Sequence, residues 1–201
     1  MSYTETEIKF HIADLDKLAA HLEALGAIQI SPRTYEMNLR FDTPAGTLSA
    51  QACVLRLRRD AESRLTFKGP TFGQDGIAQR EEIEFAVGDF DAAKRFLEAL
   101  GYELVATYEK YRITYKLDEL YIMLDEMPYG NFIEIEGEDF DDIRHAAEKL
   151  SLRWDAAVNM SYLAIFSYLQ TKELIFASEL TFDAFRSESA DLALIGILSA
   201  D

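Results

Sequence analysis

Eight short stretches of this chain alternate apolar with charged residues one for one, and that period confines each to a β-strand with one oily and one ionic face. Glu5, Glu7 and Lys9 alternate with Thr6, Ile8 and Phe10. Met37, Leu39 and Phe41 alternate with Asn38, Arg40 and Asp42, and Leu55 and Leu57 with Arg56 and Arg58. Leu65 and Phe67 are interleaved with Arg64, Thr66 and Lys68; Ile83 and Phe85 follow Arg80 and alternate with Glu82 and Glu84. Tyr111, Ile113 and Tyr115 alternate with Lys110, Arg112 and Thr114, and Ile133 and Ile135 with Glu134 and Glu136. From Leu120 to Asp125, Ile122 and Leu124 oppose Tyr121, Met123 and Asp125. Same-face neighbours lie roughly 6.6 Å apart, two rises of about 3.3 Å.

If the apolar faces pack under helices, every ionic face points the same way. Two architectures satisfy that condition. One is an open sheet with its mixed-sign face in water. The other is an eight-strand barrel with the charges in a lumen wide enough for one small ligand. The barrel is inside-out, and it makes sense if the lumen handles something ionic.

With 201 residues, 49% of them hydrophobic, the chain can bury a core as one domain or one domain plus an appendage. No apolar run approaches the roughly 18 to 20 residues of a membrane span, and the N-terminus lacks a signal-peptide layout. A single cysteine, Cys53, reads as a small buried hydrophobe and fits a reducing cytoplasm. His11, His21 and His145 lack zinc-ligand spacing and are assigned no chemistry. A formal net charge of −16 argues against a nucleic-acid surface, so an anionic ligand must be drawn in by a local basic cluster, assisted by metal.

An internal echo runs through the chain. The helix-like segment from Asp14 to Gly26 resembles that from Asp89 to Gly101, each opening on a capping Asp and closing on a Gly. Each follows an acidic strand, Glu5-x-Glu7 or Glu82-x-Glu84, and precedes a Tyr-Glu strand carrying Arg40 or Arg112. A weaker copy joins Glu134-x-Glu136 to Asp139–Leu150. Coincidence of helix propensity would explain the segments alone; their coupling to acidic strands favours a strand–helix–strand duplication. Loops fall at Thr43–Gly46, Met127–Asn131 and Gly69–Gly76, the last long enough to border a tunnel mouth. Trp154 and Tyr162 read as core aromatics.

Glu5-x-Glu7-x-Lys9, Leu55-Arg-Leu-Arg58, Leu65-Thr-Phe-Lys68, Arg80-Glu-Glu-Ile-Glu84, Lys110-x-Arg112, Glu134-x-Glu136 and Ser161-Tyr162, in this order, resemble the CYTH superfamily of triphosphate tunnel metalloenzymes. That superfamily includes class IV adenylate cyclases, thiamine triphosphatases and inorganic tripolyphosphatases. The resemblance covers about residues 3 to 169. It implies an α+β fold, an eight-stranded antiparallel closed β-barrel with a charged lumen and helices outside. It also implies a linear triphosphate ligand and one or two Mg²⁺ or Mn²⁺ ions. A tunnel domain over residues 1–169 would leave 170–201 as an extension, expected to be helical, that closes one tunnel end, docks a second subunit of a homodimer or is partly disordered.

The chemistry of the residues agrees. Lys9, Arg40, Arg56, Arg58, Lys68, Lys110 and Arg112 are candidate phosphate contacts, arginine as a bidentate fork and lysine as a point charge. Arg64, Arg80 and Lys116 share the strand parity but are placed beyond the tunnel. Glu5, Glu7, Asp125, Glu134 and Glu136 are candidate ligands for a hard divalent cation. Glu82 or Glu84 is expected to orient an attacking water. Three functions remain open at this point: a metal-dependent triphosphatase, a class IV adenylate cyclase forming cyclic AMP and pyrophosphate, and a non-catalytic polyphosphate- or nucleotide-binding module. Hydrolysis asks least of the site.

Overall fold

The computed structural model describes residues 2–72 and 78–201, the side chains of 2–5 and 78 excepted. The strands are β1 (Ser2–Ile12), β2 (Ile28–Asp42), β3 (Val54–Arg59), β4 (Ser63–Lys68), β5 (Ala78–Val87), β6 (Glu103–Leu117), β7 (Leu120–Met127) and β8 (Gly130–Gly137). The helices are α1 (Leu15–Ala24), α2 (Thr47–Ala50), α3 (Phe90–Ala99), α4 (Phe140–Lys149) and α5 (Tyr162–Thr171). All strand pairs are antiparallel, and they close in the order β1-β5-β4-β3-β2-β6-β7-β8. Closure removes the sheet edges that an open arrangement would leave unpaired.

The internal echo is visible in the elements. Asp14, Asp89 and Asp139 cap α1, α3 and α4, each carboxylate accepting from backbone N–H groups of the first turn. α1 and α3 then end on left-handed Gly26 and Gly101, where a side chain would be strained. The third copy places Ser151 in the same conformation, at φ 60°. The two long strands of the echo, β2 and β6, are equal in length and pair with each other.

Helices cover the oily outer wall. α1 and α4 bury Leu18, Leu22, Ile143 and Ala147 against Ile8, Ile122, Ile133 and Ile135. α3 sets Phe90 and Leu97 on Leu39, Phe41, Leu55 and Leu57. At the far end of the barrel, α5 and the tail gather Tyr129, Phe132, Tyr162, Phe166 and Phe185 into a third core.

The expectation of a helical tail is corrected. Beyond α5 the chain is mostly turns and bends, with one short 3-10 turn at Leu192–Ile195. The reason lies in the strands it meets. β7 departs from β6 beyond Tyr111, and Leu180 takes its place, its carbonyl accepting from the Glu109 N–H at 2.9 Å. Along β1, pairing with β5 ends at Glu7; beyond it the Val158 N–H donates to the Lys9 carbonyl and Ala200 to His11. A helix satisfies its own backbone and would leave these strand groups unmet. The expectation that the Gly69–Gly76 loop borders a tunnel mouth falls largely on residues 73–77, outside the described ones.

Because Phe185 packs on Tyr129 and Phe166 in the end core, Phe185→Ala is expected to destabilise the protein by about 3–5 kcal/mol. Urea unfolding followed by circular dichroism and by tyrosine fluorescence should show one transition at a lower midpoint. Two separate transitions would mean that the tail unfolds independently of the barrel.

Candidate functional site

Strand parity sends the ionic faces inward, and register decides which charges meet. Lys9 stands opposite Glu134, Lys110 opposite Glu36, Arg112 opposite Asp125, Lys68 opposite Glu82 and Arg40 opposite Arg56. Asp125 has no solvent exposure. It accepts from Lys110 Nζ at 3.0 Å, Arg112 Nε at 2.6 Å and the Tyr162 hydroxyl at 2.7 Å. Arg112 also donates to Glu134, whose other oxygen lies 2.9 Å from Lys9 Nζ. Burial would push the Glu134 carboxyl up, but Lys9, Arg112 and Lys110 outweigh it and hold it well below the usual carboxylate range. Burial likewise opposes the Lys9 charge, and Glu134, Glu7 and Asp125 more than restore it.

From Lys110 the network continues to Glu36 at 3.6 Å, from Glu36 to Arg58 at 4.0 Å, and from Arg58 to Glu84 at 3.6 Å. Glu84 reaches Arg64 at 3.3 Å and accepts from the Thr66 hydroxyl at 2.7 Å. Each of the eight strands therefore contributes to one run of ion pairs: Lys9, Glu134, Arg112, Asp125, Lys110, Glu36, Arg58, Glu84, Arg64. Two further pairs, Lys68–Glu82 at 2.8 Å and Arg80–Glu7 at 3.1 Å, link β4 to β5 and β5 to β1. Burial raises the Glu84 pKa, while Arg58, Thr66, Arg56 and Arg64 together lower it further.

All seven candidate phosphate contacts are side chains of this lumen face, and among the described residues six of them have ion pairs. Arg40 is the exception: it makes no ion pair among the described residues and its Nε is buried without a hydrogen bond. Burial pushes the Arg40 pKa down and Arg56 and Arg80 add like charge, which Tyr108 and Asp42 offset only in part. Of the candidate metal ligands, the Glu5 side chain lies outside the described residues. Glu7 and Glu136 are partners in register. Asp125 and Glu134 are held by the protein's own cations, and no group of three potential ligands among the described residues is placed to hold a metal.

Arg64 and Arg80, set beyond the tunnel by the sequence reading, are members of the ionic network. Lys116 instead pairs with exposed Glu119. Glu36, Asn38, Thr66 and Tyr108 were not singled out, although the alternation with Met37, Leu39, Leu65 and Phe67 carries the signal for the first three. Burial would raise the Tyr108 hydroxyl pKa, but Arg56 and Lys110 bring it below its ordinary value. Tyr162 is a core aromatic, as expected, whose ring lies 4.3 Å from Lys9 Nζ and whose hydroxyl enters the lumen. It arrives from α5, so no strand pattern could announce it.

A closed antiparallel barrel, oily outside under helices and ionic within, is the architecture of the tunnel proteins. The chain belongs to the CYTH domain family, whose model matches residues 3–157. It is 29% identical to adenylate cyclase CyaB of Aeromonas hydrophila over 135 residues, 65% of this chain and 67% of that one. Among solved structures, a Vibrio parahaemolyticus protein shares the fold at a TM-score of 0.74 and 22% identity, covering 83% of this chain and 99% of its own. HpAC1 from Hippeastrum, described as having a dominant triphosphatase activity, matches at 0.63 and 20% identity, over 82% and 95% of the two chains. No helix among the described residues is long and apolar enough to cross a membrane.

Glu36 offers a test of the network. Burial raises its pKa, but Lys110, Arg112, Arg58 and Arg56 bring it down to about 2. A carboxylate lowered in the folded state contributes stability that is complete above its unfolded pKa of about 4.3 and is lost as pH falls toward the folded value. Glu36→Gln should therefore cost on the order of 3 kcal/mol at pH 7. The difference from wild type, read from urea midpoints, should shrink as the pH is lowered from 5 to 3. A pH-independent difference would remove Glu36 from the network's ionised core.

Proposed function

We propose that the lumen binds a linear triphosphate and that the protein hydrolyses it with the help of a divalent cation, Mg²⁺ or Mn²⁺. The observation that carries this reading is the Arg40–Arg56 pair. Arg40 and Arg56 are register partners across β2 and β3; Arg56 pairs with Glu84 at 3.6 Å, but Arg40 makes no ion pair among the described residues, and neither buried Nε–H has an acceptor among them. Like charges opposed in register are unfavourable unless an anion joins them. Phosphate oxygens supply that anion, and Arg58, Lys68, Lys110, Arg112 and Lys9 extend the contact along the phosphoryl chain.

Oxygen donors suit a hard divalent cation, which would supply charge neutralisation beside the phosphates. Glu7 and Glu136 would hold it, with Glu5, Glu134 and Asp125 as further ligands; Glu7 would exchange Arg80, and Glu134 and Asp125 would exchange Lys9, Lys110 and Arg112, on binding it. The protein's part is alignment and electrostatic stabilisation. Water attacks the terminal phosphorus, the anhydride P–O bond breaks, and orthophosphate leaves a diphosphate behind. Glu84, kept ionised by its arginines, suits the orienting of that water better than the storage of its proton; Glu82 is the other candidate. The activity described for HpAC1 supports hydrolysis.

The likeness to CyaB supports a second reading, in which the 3′-hydroxyl of ATP attacks its own α-phosphorus and pyrophosphate leaves. Incubation with Mg²⁺ or Mn²⁺ and, separately, tripolyphosphate, thiamine triphosphate and ATP separates the two. Orthophosphate with a diphosphate is the expected product pair. Cyclic AMP with pyrophosphate would select the cyclase instead, and binding without turnover a non-catalytic module. Glu5→Gln combined with Glu7→Gln should abolish metal-dependent turnover with the fold intact; full activity in that double variant would reject the metal assignment.

A further inference from the structure

Asn38 has no solvent exposure, and neither its Oδ1 nor its Nδ2 has a hydrogen-bond partner among the described residues. An amide carries two donors and an acceptor, and a buried one left unsatisfied destabilises the fold that keeps it. Its place in the lumen suggests what it is kept for. On β2 it lies between Glu36 and Arg40 on the inward face, and its register partners are Arg58 on β3 and Tyr108 on β6. The next inward position along the same two strands is the Arg40–Arg56 pair, whose buried Nε–H groups also have no acceptors among the described residues. Unmet donors from Arg40, Arg56 and Asn38 thus occur together on one wall.

We infer that Asn38 is a direct contact to the bound phosphoryl chain, its Nδ2 donating to a non-bridging phosphate oxygen beside Arg40 and Arg56. This rests on the triphosphate reading of the lumen and adds to it a residue that brings no charge. A third guanidinium here would increase the repulsion already present between Arg40 and Arg56, whereas an amide adds a donor and leaves the electrostatics unchanged. Its Oδ1 remains available to Arg58 or Tyr108, the residues facing it across the strands.

Two variants test the contact. Asn38→Leu replaces the amide with an apolar group of similar size, a change that is neutral or stabilising where the amide is unsatisfied. Asn38→Asp keeps size and polarity but places a carboxylate against the arginines. Tripolyphosphate affinity is measured by calorimetry without divalent cation, so that binding is read without turnover, and the urea midpoint is measured on ligand-free protein. For Asn38→Leu the expected result is an unchanged or higher midpoint with affinity at least tenfold weaker and the same salt dependence. For Asn38→Asp it is a midpoint at or above wild type with affinity weaker still. A purely structural role would lower the midpoint and leave affinity intact. Tripolyphosphate affinity within twofold of wild type in Asn38→Leu, or in Asn38→Asp if the first does not fold, overturns the inference while the lumen reading stands. A wild-type protein that does not bind tripolyphosphate overturns both.

Discussion

The fold depends on keeping buried charge paired. A barrel with its apolar residues outside gains stability from the helices that cover them, but closing it withdraws a large set of ionised side chains from water. A buried charge that loses its partner costs several kcal/mol, so the lumen is stable only because its opposite signs meet in register. The run of ion pairs from Lys9 to Arg64 draws on all eight strands, and so works against slippage as well as supplying attraction. Moving any strand by one residue would turn its charges out into the helices.

Pairing of this kind also sets the terms on which a ligand enters. Arg58, Lys110 and Arg112 already hold Glu36, Glu84, Asp125 and Glu134. On the proposed reading, an incoming phosphate would exchange one anion for another at these positions, and its net attraction would be a difference between two similar interactions. At Arg40 no carboxylate among the described residues has to leave. On the proposed reading, the binding energy would therefore be uneven around the wall, and greatest near Arg40.

Much of this was legible in the sequence. Alternation identified the strands and their inward faces, the ordered acidic and basic motifs pointed to the family, and the repeated Asp-capped helices predicted which segments would cover the outside. Closure was not legible from alternation, because an open sheet has the same pattern; the pairing of β1 with β8 is a long-range fact. Glu36 and Asn38 lay within reach of the parity rule. Asn38 went unremarked because an uncharged residue does not stand out on a charged face. The tail was misread because local propensity says nothing of unpaired backbone elsewhere, at His11 and Glu109, that a non-helical chain could satisfy.

Tyr162 belongs to both halves of the molecule. Its ring packs on Phe132 within the end core, while its hydroxyl donates to Asp125 and its face lies under Lys9. Burial, with Asp125 and Glu134 adding to it, pushes the Tyr162 pKa well up, so the group stays a neutral donor. Two sites that share a group in this way are thermodynamically linked, and linkage is reciprocal. Whatever draws Asp125 away from Tyr162 changes how firmly α5 and the tail sit on the barrel, and a change in that packing alters the partners available to Asp125. Residues far along the chain, with no ionisable group of their own, are thereby coupled to the charges of the lumen.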